Sequence, residues 1–249
     1  MKVLVIVPTY NERENLPQLV PAILDQGEHF HVLVVDDNSP DGTGDIADDL
    51  ATHEPRVNVL HRDGKRGLGT AYVAGFKWAL ERGFDYVFEM DADFSHDPND
   101  LPRLLDGAMR GDCAVGSRWV AGGGTENWSM IRTLISRGGS LYAKTILGVP
   151  VNDLTSGFKC FSAYVLRQLD LDSIHSNGYG FQVEVNFRCH RLGFRITEVP
   201  IRFIDRRVGK SKMSAWIVVE AAGVVWKLRL SPKSVGRATP ADYSKLPPS

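Results

Sequence analysis

Short, continuous apolar runs recur through the first half of the chain, and each breaks off into a polar cluster. Val3 to Val7 leads into "PTYNE", "HVLVVDD" into "NSPDG", "VNVLHR" into "DGKRGLG", "FDYVFEM" into "DADFSHD", and "DCAV" into "GSR". Such runs suit strands covered on both faces. Helical patterns lie between them. Asn11 with Glu14 forms a capping-box pattern, a second helix starts near Asp45, and a third spans Leu68 to Glu81. Asp97 and Pro98 read as the N-cap and first residue of a fourth. Alternating strands and helices predict an α/β fold with a mostly parallel sheet and helices on both faces. Ligands bind such sheets beyond the carboxyl ends of the strands, where all five polar clusters fall.

The second half is less regular. "AGGGTENW" reads as a mobile Gly-rich loop, Ser129 to Leu147 as a helix, "TSGFKCF" as a short strand, Phe181 to Leu192 as a helix and "FRITEVPIRF" as one strand. The sequence therefore predicts one domain over residues 1–230 and a disordered tail over 231–249, where Pro and Ser dominate. The formal charge of −1, from 29 basic and 30 acidic residues, lacks the basic excess of a nucleic-acid binder. Three unclustered cysteines read as reduced, buried thiols of a cytoplasmic protein. No stretch reaches the roughly 18 uncharged apolar residues of a membrane span. The nearest, Met213 to Leu230, is interrupted by Glu220, Lys227 and Arg229.

Four acids, Glu89, Asp91, Asp93 and Asp97, crowd "FEMDADFSHDP". In an extended segment, Asp91 and Asp93 point the same way and repel unless a cation separates them. Mg2+ or Mn2+ suits such oxygen donors, while a solvated acidic turn is the plainer alternative. Asp36 and Asp37 stand where nucleotide-binding sheets often place an acid on ribose hydroxyls, and equally where a turn begins. Gly64, Lys65, Arg66, Gly67 and Gly69 resemble a phosphate-cradling loop at a helix N-terminus, though neither common glycine fingerprint is present. A late basic set, Arg202, Arg206, Arg207, Lys210 and Lys212, adjoins a Trp-bearing apolar helix. That combination suits either a membrane surface or a core helix. Of the histidines only His96 sits in a candidate site, and no Ser-His-Asp spacing is visible.

Together "VPTYNERENL", "VVDDNSPDGT", "RGLGTAY", "MDADFSHDP", "GSRW", "NDLTSGFK" and "RRVGKSKM" resemble, in order and spacing, the inverting glycosyltransferases of family 2. The last two motifs point to the polyprenol-phosphate (dolichol-phosphate) mannose synthase branch. The resemblance covers about Val3 to Leu230 and implies a GT-A, Rossmann-like fold. It also implies GDP-mannose as donor, a polyprenyl or dolichyl monophosphate as acceptor, and Mg2+ or Mn2+. By position, Pro8, Tyr10, Glu12 and Asp37 would meet the guanosine, with Lys65 and Gly69 beside the donor. Asp91 and Asp93 would hold the metal and diphosphate, and Ser95 would be a further ligand where relatives often carry Gln. Arg118 would reach the phosphates or sugar, Arg132 and Ser136 the acceptor phosphate, and Arg206 and Lys212 would close over both. The chain would act at the cytoplasmic face of a membrane, held by its own surface helices or a membrane-anchoring partner protein. A transferase moving glucose or another sugar from a UDP or GDP donor onto the same lipid phosphate, a nucleotidyltransferase making the sugar nucleotide, and a non-catalytic nucleotide- or lipid-binding module are the rival readings.

Overall fold

The computed structural model describes residues 1–205 and 215–230. In chain order its elements are β1 (Val3–Thr9), α1 (Leu16–Leu24), β2 (Phe30–Asp36), α2 (Thr43–His53), β3 (Val57–His61) and α3 (Leu68–Glu81). There follow β4 (Tyr86–Glu89), a 3-10 turn (Pro98–Asp100), α4 (Leu101–Arg110), β5 (Cys113–Ser117), β6 (Gly124–Glu126) and α5 (Met130–Leu147). The last are β7 (Lys159–Ser162), α6 (Ala163–Gln168), α7 (Gly178–Arg191), β8 (Ile196–Pro200), β9 (Arg202–Ile204) and α8 (Ala215–Leu230). Seven strands form one sheet in the order β3-β2-β1-β4-β7-β5-β8. Only β7 runs antiparallel to its neighbours, so the sheet is mostly parallel, as the alternation implies.

Period-two alternation builds both faces of this sheet. Val3, Val5, Val7, Val32 and Val34 pack on one side against Leu16, Leu19 and Ile23 of α1 and Leu101 and Leu104 of α4. Leu4, Ile6, Leu33 and Val35 pack on the other against Tyr72 and Phe76 of α3, Val165 of α6 and Phe181 and Val185 of α7. A third cluster joins α5, α7 and α8 through Ala143, Leu147, Val183, Phe187, Val225 and Leu228. The three cysteines are buried and unpaired, as read from their spacing. Strand order reverses between β1 and β4, with β2 and β3 on one side and later strands on the other. A crevice at this switch point follows from the topology.

Several local expectations are corrected. Asn11 does not cap α1; it adopts a left-handed conformation (φ 63) and its N–H donates to Ser39 Oγ at 3.1 Å. The helix starts later, at Leu16, with Asn15 in the cap position and a proline in its first turn. A contact across to the β2 loop thus overrides the local capping box. The Gly-rich loop contains a strand, β6, which pairs in parallel with β9. "FRITEVPIRF" is correspondingly two strands, β8 in the main sheet and β9 outside it. Gly69 is glycine for packing: a Cβ there would meet Ser176 O at 2.5 Å and the Phe181 ring at 2.8 Å. The tail over 231–249 lies outside the described residues.

Because the closest of those atoms is a backbone carbonyl, a methyl group at position 69 cannot be absorbed by one side-chain rotation. Gly69→Ala is expected to lower unfolding free energy by about 1–3 kcal/mol, measured by urea denaturation. Gly64→Ala, where a Cβ meets nothing within 4 Å, should leave it nearly unchanged.

Candidate active site

One end of the crevice is built from the loops after β1, β2 and β3. Asp36 is fully occupied as a turn residue, accepting from Thr9 Oγ1 at 2.9 Å, Ser39 N at 3.0 Å and Ser39 Oγ at 2.6 Å. Asp37 is the acid turned to other uses. Burial raises its pKa, and Arg62, whose Nε lies 3.2 Å from Oδ1, pulls it back. Lys65 sits 4.1 Å above the Tyr10 ring, so this lysine and tyrosine share one surface. Pro8 is paired with Val35 at the end of β1, and the Glu12 N–H donates to Thr43 Oγ1 at 3.0 Å. Glu12 Oε2 accepts from Asn15 Nδ2 at 2.8 Å.

The acidic loop is not the extended segment expected from the sequence. Strand β4 ends at Glu89, and residues 92–96 bend, with Phe94 left-handed at φ 59. A bulky residue at positive φ is costly and marks a loop held by its surroundings. Those surroundings can be named. Tyr72, fully buried on α3 and stacked on Phe181, donates from its hydroxyl to Asp91 Oδ1 at 3.3 Å. The Asp91 N–H donates to His96 Nδ1 at 3.2 Å, and the Ser95 N–H to Asp93 Oδ1 at 3.1 Å. Ser95 O accepts from Ile204 N at 3.3 Å, tying β9 to the loop. Asp97 caps the following turn by accepting from Asn99 N, as expected.

His96 is buried, stacked on Phe158 at 4.8 Å and edge-on to Phe203 at 5.5 Å. Burial lowers its pKa to about 4, helped by Arg118 and opposed by Asp93 and Asp153. The ring is therefore neutral near pH 7. With Nδ1 accepting from Asp91 N, the proton belongs on Nε2.

Among the described residues no three His, Cys, Asp or Glu side chains gather as a ready metal cage. Asp91, Asp93 and Ser95 instead form an all-oxygen set. The Ser95 hydroxyl is buried with no hydrogen-bond partner among the described residues, so a ligand oxygen is in hand beside Asp93. Such a partial set fits an ion that completes its shell with substrate phosphates and water.

Beneath this loop lies a buried charged pair absent from the sequence reading. Glu89 faces Lys159 across the β4–β7 ladder at 3.9 Å, both fully buried. Lys159 Nζ donates to Gln182 O at 3.0 Å and also to Gln182 Oε1. Burial raises the Glu89 pKa to about 7, with Lys159 opposing, and burial lowers that of Lys159. A lysine inside the apolar run "FKCF" was the available signal, since a buried lysine needs a partner.

The far wall is set by Arg118, which is buried. Its N–H and Nε donate to Asp153 Oδ2 at 2.9 and 2.7 Å, and Nη2 donates to Asp153 Oδ1 at 2.7 Å. Burial works against its charge, but Asp153 outweighs this and holds the Arg118 pKa up. Trp119, Trp128 and Phe203 surround the guanidinium at 5.2–5.5 Å. Trp128 also carries Arg132, whose guanidinium lies 4.0 Å over the indole and whose Nη1 donates to Asp205 Oδ2 at 2.7 Å. Ser136 is one turn further along α5. Arg206 and Lys212 lie outside the described residues. The structure thus brings together Asp91, Asp93, Ser95, Arg118 and Arg132. It gives His96, already in a candidate site by sequence, a supporting contact to Asp91, and adds Tyr72, Trp128 and Phe203 as supports that sequence spacing does not reveal.

A family model described as Glycosyl transferase family 2 matches residues 4–170, and the chain belongs to that family. It is a glycosyltransferase. The chain is 54% identical over 221 residues to an undecaprenyl-phosphate mannosyltransferase of Micrococcus luteus, covering 89% of this chain and 91% of that protein. It is 47% identical over 232 residues to a polyprenol monophosphomannose synthase of Mycolicibacterium smegmatis, covering 92% and 88%. Among solved structures, glucosyl-3-phosphoglycerate synthase of Mycobacterium tuberculosis with Mn2+, UDP and glucosyl-3-phosphoglycerate superposes with TM-score 0.65 at 18% identity, over 96% of this chain and 81% of that one. A mannosyltransferase of Pyrobaculum calidifontis in complex with GDP-Man and Mn2+ gives 0.61 at 19%, over 96% and 66%. The fold is accordingly of the GT-A type.

Two predictions follow from the buried charges. Asp153→Asn strands the Arg118 charge in the interior and should cost about 3–5 kcal/mol of stability by urea denaturation. Asp91→Asn, at the partly exposed crevice, should cost far less. The second concerns pH. Folded Glu89 keeps its proton from its ordinary 4.5 up to about 7, so its contribution is full below 4.5 and lost as pH rises to about 7. Folded His96 resists protonation from 6.5 down to about 4, so its contribution is lost as pH falls through that range. The two oppose each other. Relative to the native chain, Glu89→Gln should make stability climb more steeply from pH 4.5 to 6.5, and His96→Gln should make it climb less. Denaturation midpoints measured across that range check both signs.

Proposed function

We propose that the chain transfers mannose from GDP-mannose to a polyprenyl (dolichyl-type) monophosphate with inversion, yielding polyprenyl-phosphate mannose and GDP. The observation that carries this reading is the meeting, at the carboxyl end of β4, of an all-oxygen donor set with two arginines, Arg118 and Arg132. The names of the two close relatives support the sugar and the lipid acceptor. The GDP-Man and Mn2+ complex of the structural neighbour supports the donor and a divalent ion.

In this reading Tyr10, Lys65, Pro8, Glu12 and Asp37 take the nucleoside end. Asp91, Asp93 and Ser95 would hold Mg2+ or Mn2+ beside the donor. When bound, that ion stabilises negative charge on the departing diphosphate. Tyr72 and His96 keep the acidic loop in place by their bonds to Asp91. Arg118, oriented by Asp153, and Arg132, oriented by Asp205 and Trp128, supply positive charge to the donor and acceptor phosphates. An acceptor phosphate oxygen attacks the anomeric carbon as the bond to the diphosphate breaks on the opposite side, which inverts the centre. The acceptor's second pKa is about 6, so near pH 7 it is largely ionised and needs no strong base. This agrees with Asp153 being committed to Arg118. The chain would work peripherally at the cytoplasmic face of a membrane, with or without an anchoring partner. No helix among the described residues is long and apolar enough to cross one.

The test is transfer of label from radiolabelled GDP-mannose to a short-chain polyprenyl phosphate, with Mg2+, Mn2+ or EDTA. A lipid-soluble product dependent on metal is expected, and absence of product where GDP-mannose binds would refute the reading. Competition by unlabelled GDP-mannose, and not UDP-glucose, separates it from the glucosyl alternative. Asp91→Asn and Asp93→Asn should each lower kcat by about 100-fold or more. Folded Asp153→Asn should retain more activity than either.

A further inference from the structure

A lysine sealed inside a sheet has donors and no acceptor, so the atoms around its ammonium must be oxygens. Lys159 of β7 finds two of them on one residue of α7, the backbone carbonyl of Gln182 at 3.0 Å and the side-chain Oε1. That pairing fixes the orientation of the Gln182 carboxamide: Oε1 turns to the ammonium, and Nε2 turns away from it. Gln182 is only 2% exposed, and its Nε2 is buried with no hydrogen-bond partner among the described residues. An amide donor unspent in the interior is costly. What it faces is shown at Gly157. A Cβ on this glycine would lie 3.5 Å from Gln182 Nε2, 3.5 Å from Asp91 Oδ2 and 3.7 Å from His96 Cε1. Donor and carboxylate therefore border one small space that glycine leaves open. The other Asp91 oxygen, Oδ1, accepts from Tyr72, which is stacked on Phe181. Two consecutive residues of α7 thus attend to Asp91, Phe181 through Tyr72 and Gln182 from the side of Oδ2.

We propose that Gln182 is a positioning residue for Asp91: its carboxamide, locked by Lys159, donates from Nε2 to Asp91 Oδ2 and holds the carboxylate in the rotamer that serves a divalent ion. The inference rests on the ion-holding role given to Asp91 above and names the group that orients it. Carboxylates that bind metals are themselves hydrogen-bonded, and such outer partners are worth about 10–100-fold in metal affinity. Glu89 does not exhaust the donor. The amide nitrogen carries two hydrogens. One can serve Glu89, whose pKa is raised by burial and drawn back by Lys159 and then by Gln182. The second remains for Asp91. The buried Lys159 thereby gains a purpose beyond its own compensation, since it sets which end of the amide the acidic loop meets. The competing account is that Gln182 does no more than neutralise Lys159. The two accounts part when both side chains are replaced together.

The experiment measures Mn2+ binding by the full chain, with and without GDP, from the electron paramagnetic resonance signal of free Mn2+, so no turnover is needed. Gln182→Met keeps the volume and removes both polar atoms. It should weaken Mn2+ binding by about tenfold or more. It should also lower the urea midpoint, because Lys159 loses an acceptor. Lys159→Met combined with Gln182→Met no longer strands an ammonium, so its midpoint should rise above that of Gln182→Met while Mn2+ binding stays weak. This double variant also covers the case where Gln182→Met alone is too unstable to assay. Lys159→Met by itself keeps the donor but frees its orientation, and should weaken Mn2+ binding less than Gln182→Met does. Native Mn2+ affinity in Gln182→Met overturns the inference. So does recovery of that affinity together with stability in the double variant, which assigns Gln182 to Lys159 alone. A native chain that binds no Mn2+, with or without GDP, sinks the ion-holding role of Asp91 and this inference with it. Mn2+ binding that is strong in the native chain and weak in both Gln182 variants supports the inference even where mannose transfer fails, a failure that would refute the function proposed above instead.

Discussion

The ion pair between Arg118 and Asp153 organises the far wall of the crevice. Burying two charges costs several kcal/mol per ion unless geometry and further bonds offset it. Here the backbone N–H and Nε of Arg118 share one Asp153 oxygen and Nη2 takes the other, with Thr155 Oγ1 accepting at 2.9 Å besides. That fork fixes the guanidinium among Trp119, Trp128 and Phe203. Trp128 then presents a face to Arg132, while Phe203 closes on His96, which accepts from the Asp91 backbone. The acidic loop and the basic wall are therefore coupled through one aromatic box.

Elements that were legible in the sequence are those where one period dominates. Val3 to Val7 and "HVLVV" bury both faces, and Leu68–Glu81 keeps helical spacing from end to end, so their burial repeats the pattern of their residues. Failures fall where a tertiary contact competes with a local signal. Asn11 has a capping partner in sequence, yet Ser39, 28 positions away, takes its N–H. "AGGGTENW" carries loop composition, yet β9 offers it a parallel partner that only the folded chain supplies. Gly69 looks like part of a phosphate cradle because glycines cluster there, while the constraint on it comes from Ser176 and Phe181 more than a hundred positions later.

The site was legible as a set of residues but not as a set of roles. Spacing marked Asp91 and Asp93, but the extended geometry first assigned to them is replaced by a bend through Phe94. The supports that hold this bend, Tyr72 and His96, have no distinctive spacing, since their partners come from α3 and from the loop's own backbone. Asp36 and Asp37 look equivalent in sequence. The hydrogen bonds of Ser39 and Thr9 to Asp36 alone divide them. Glu89 and Lys159 were hidden for a related reason: each is an isolated charge in its own strand, and only the β4–β7 register makes them a pair.

Arg132 joins the aromatic box with part of its hydrogen-bonding capacity unspent. Its Nη1 is engaged by Asp205, while Nε is buried without a partner among the described residues. A guanidinium left with an unspent buried donor is poised to accept a stronger anion. A phosphate dianion offers more acceptor oxygens and more charge than one carboxylate, so the acceptor phosphate proposed above would share Arg132 with Asp205 or take it over. The indole of Trp128 would hold the guanidinium plane throughout, because stacking does not depend on which anion is bound. Under the proposed function, Asp205 would keep Arg132 compensated until such an anion arrives.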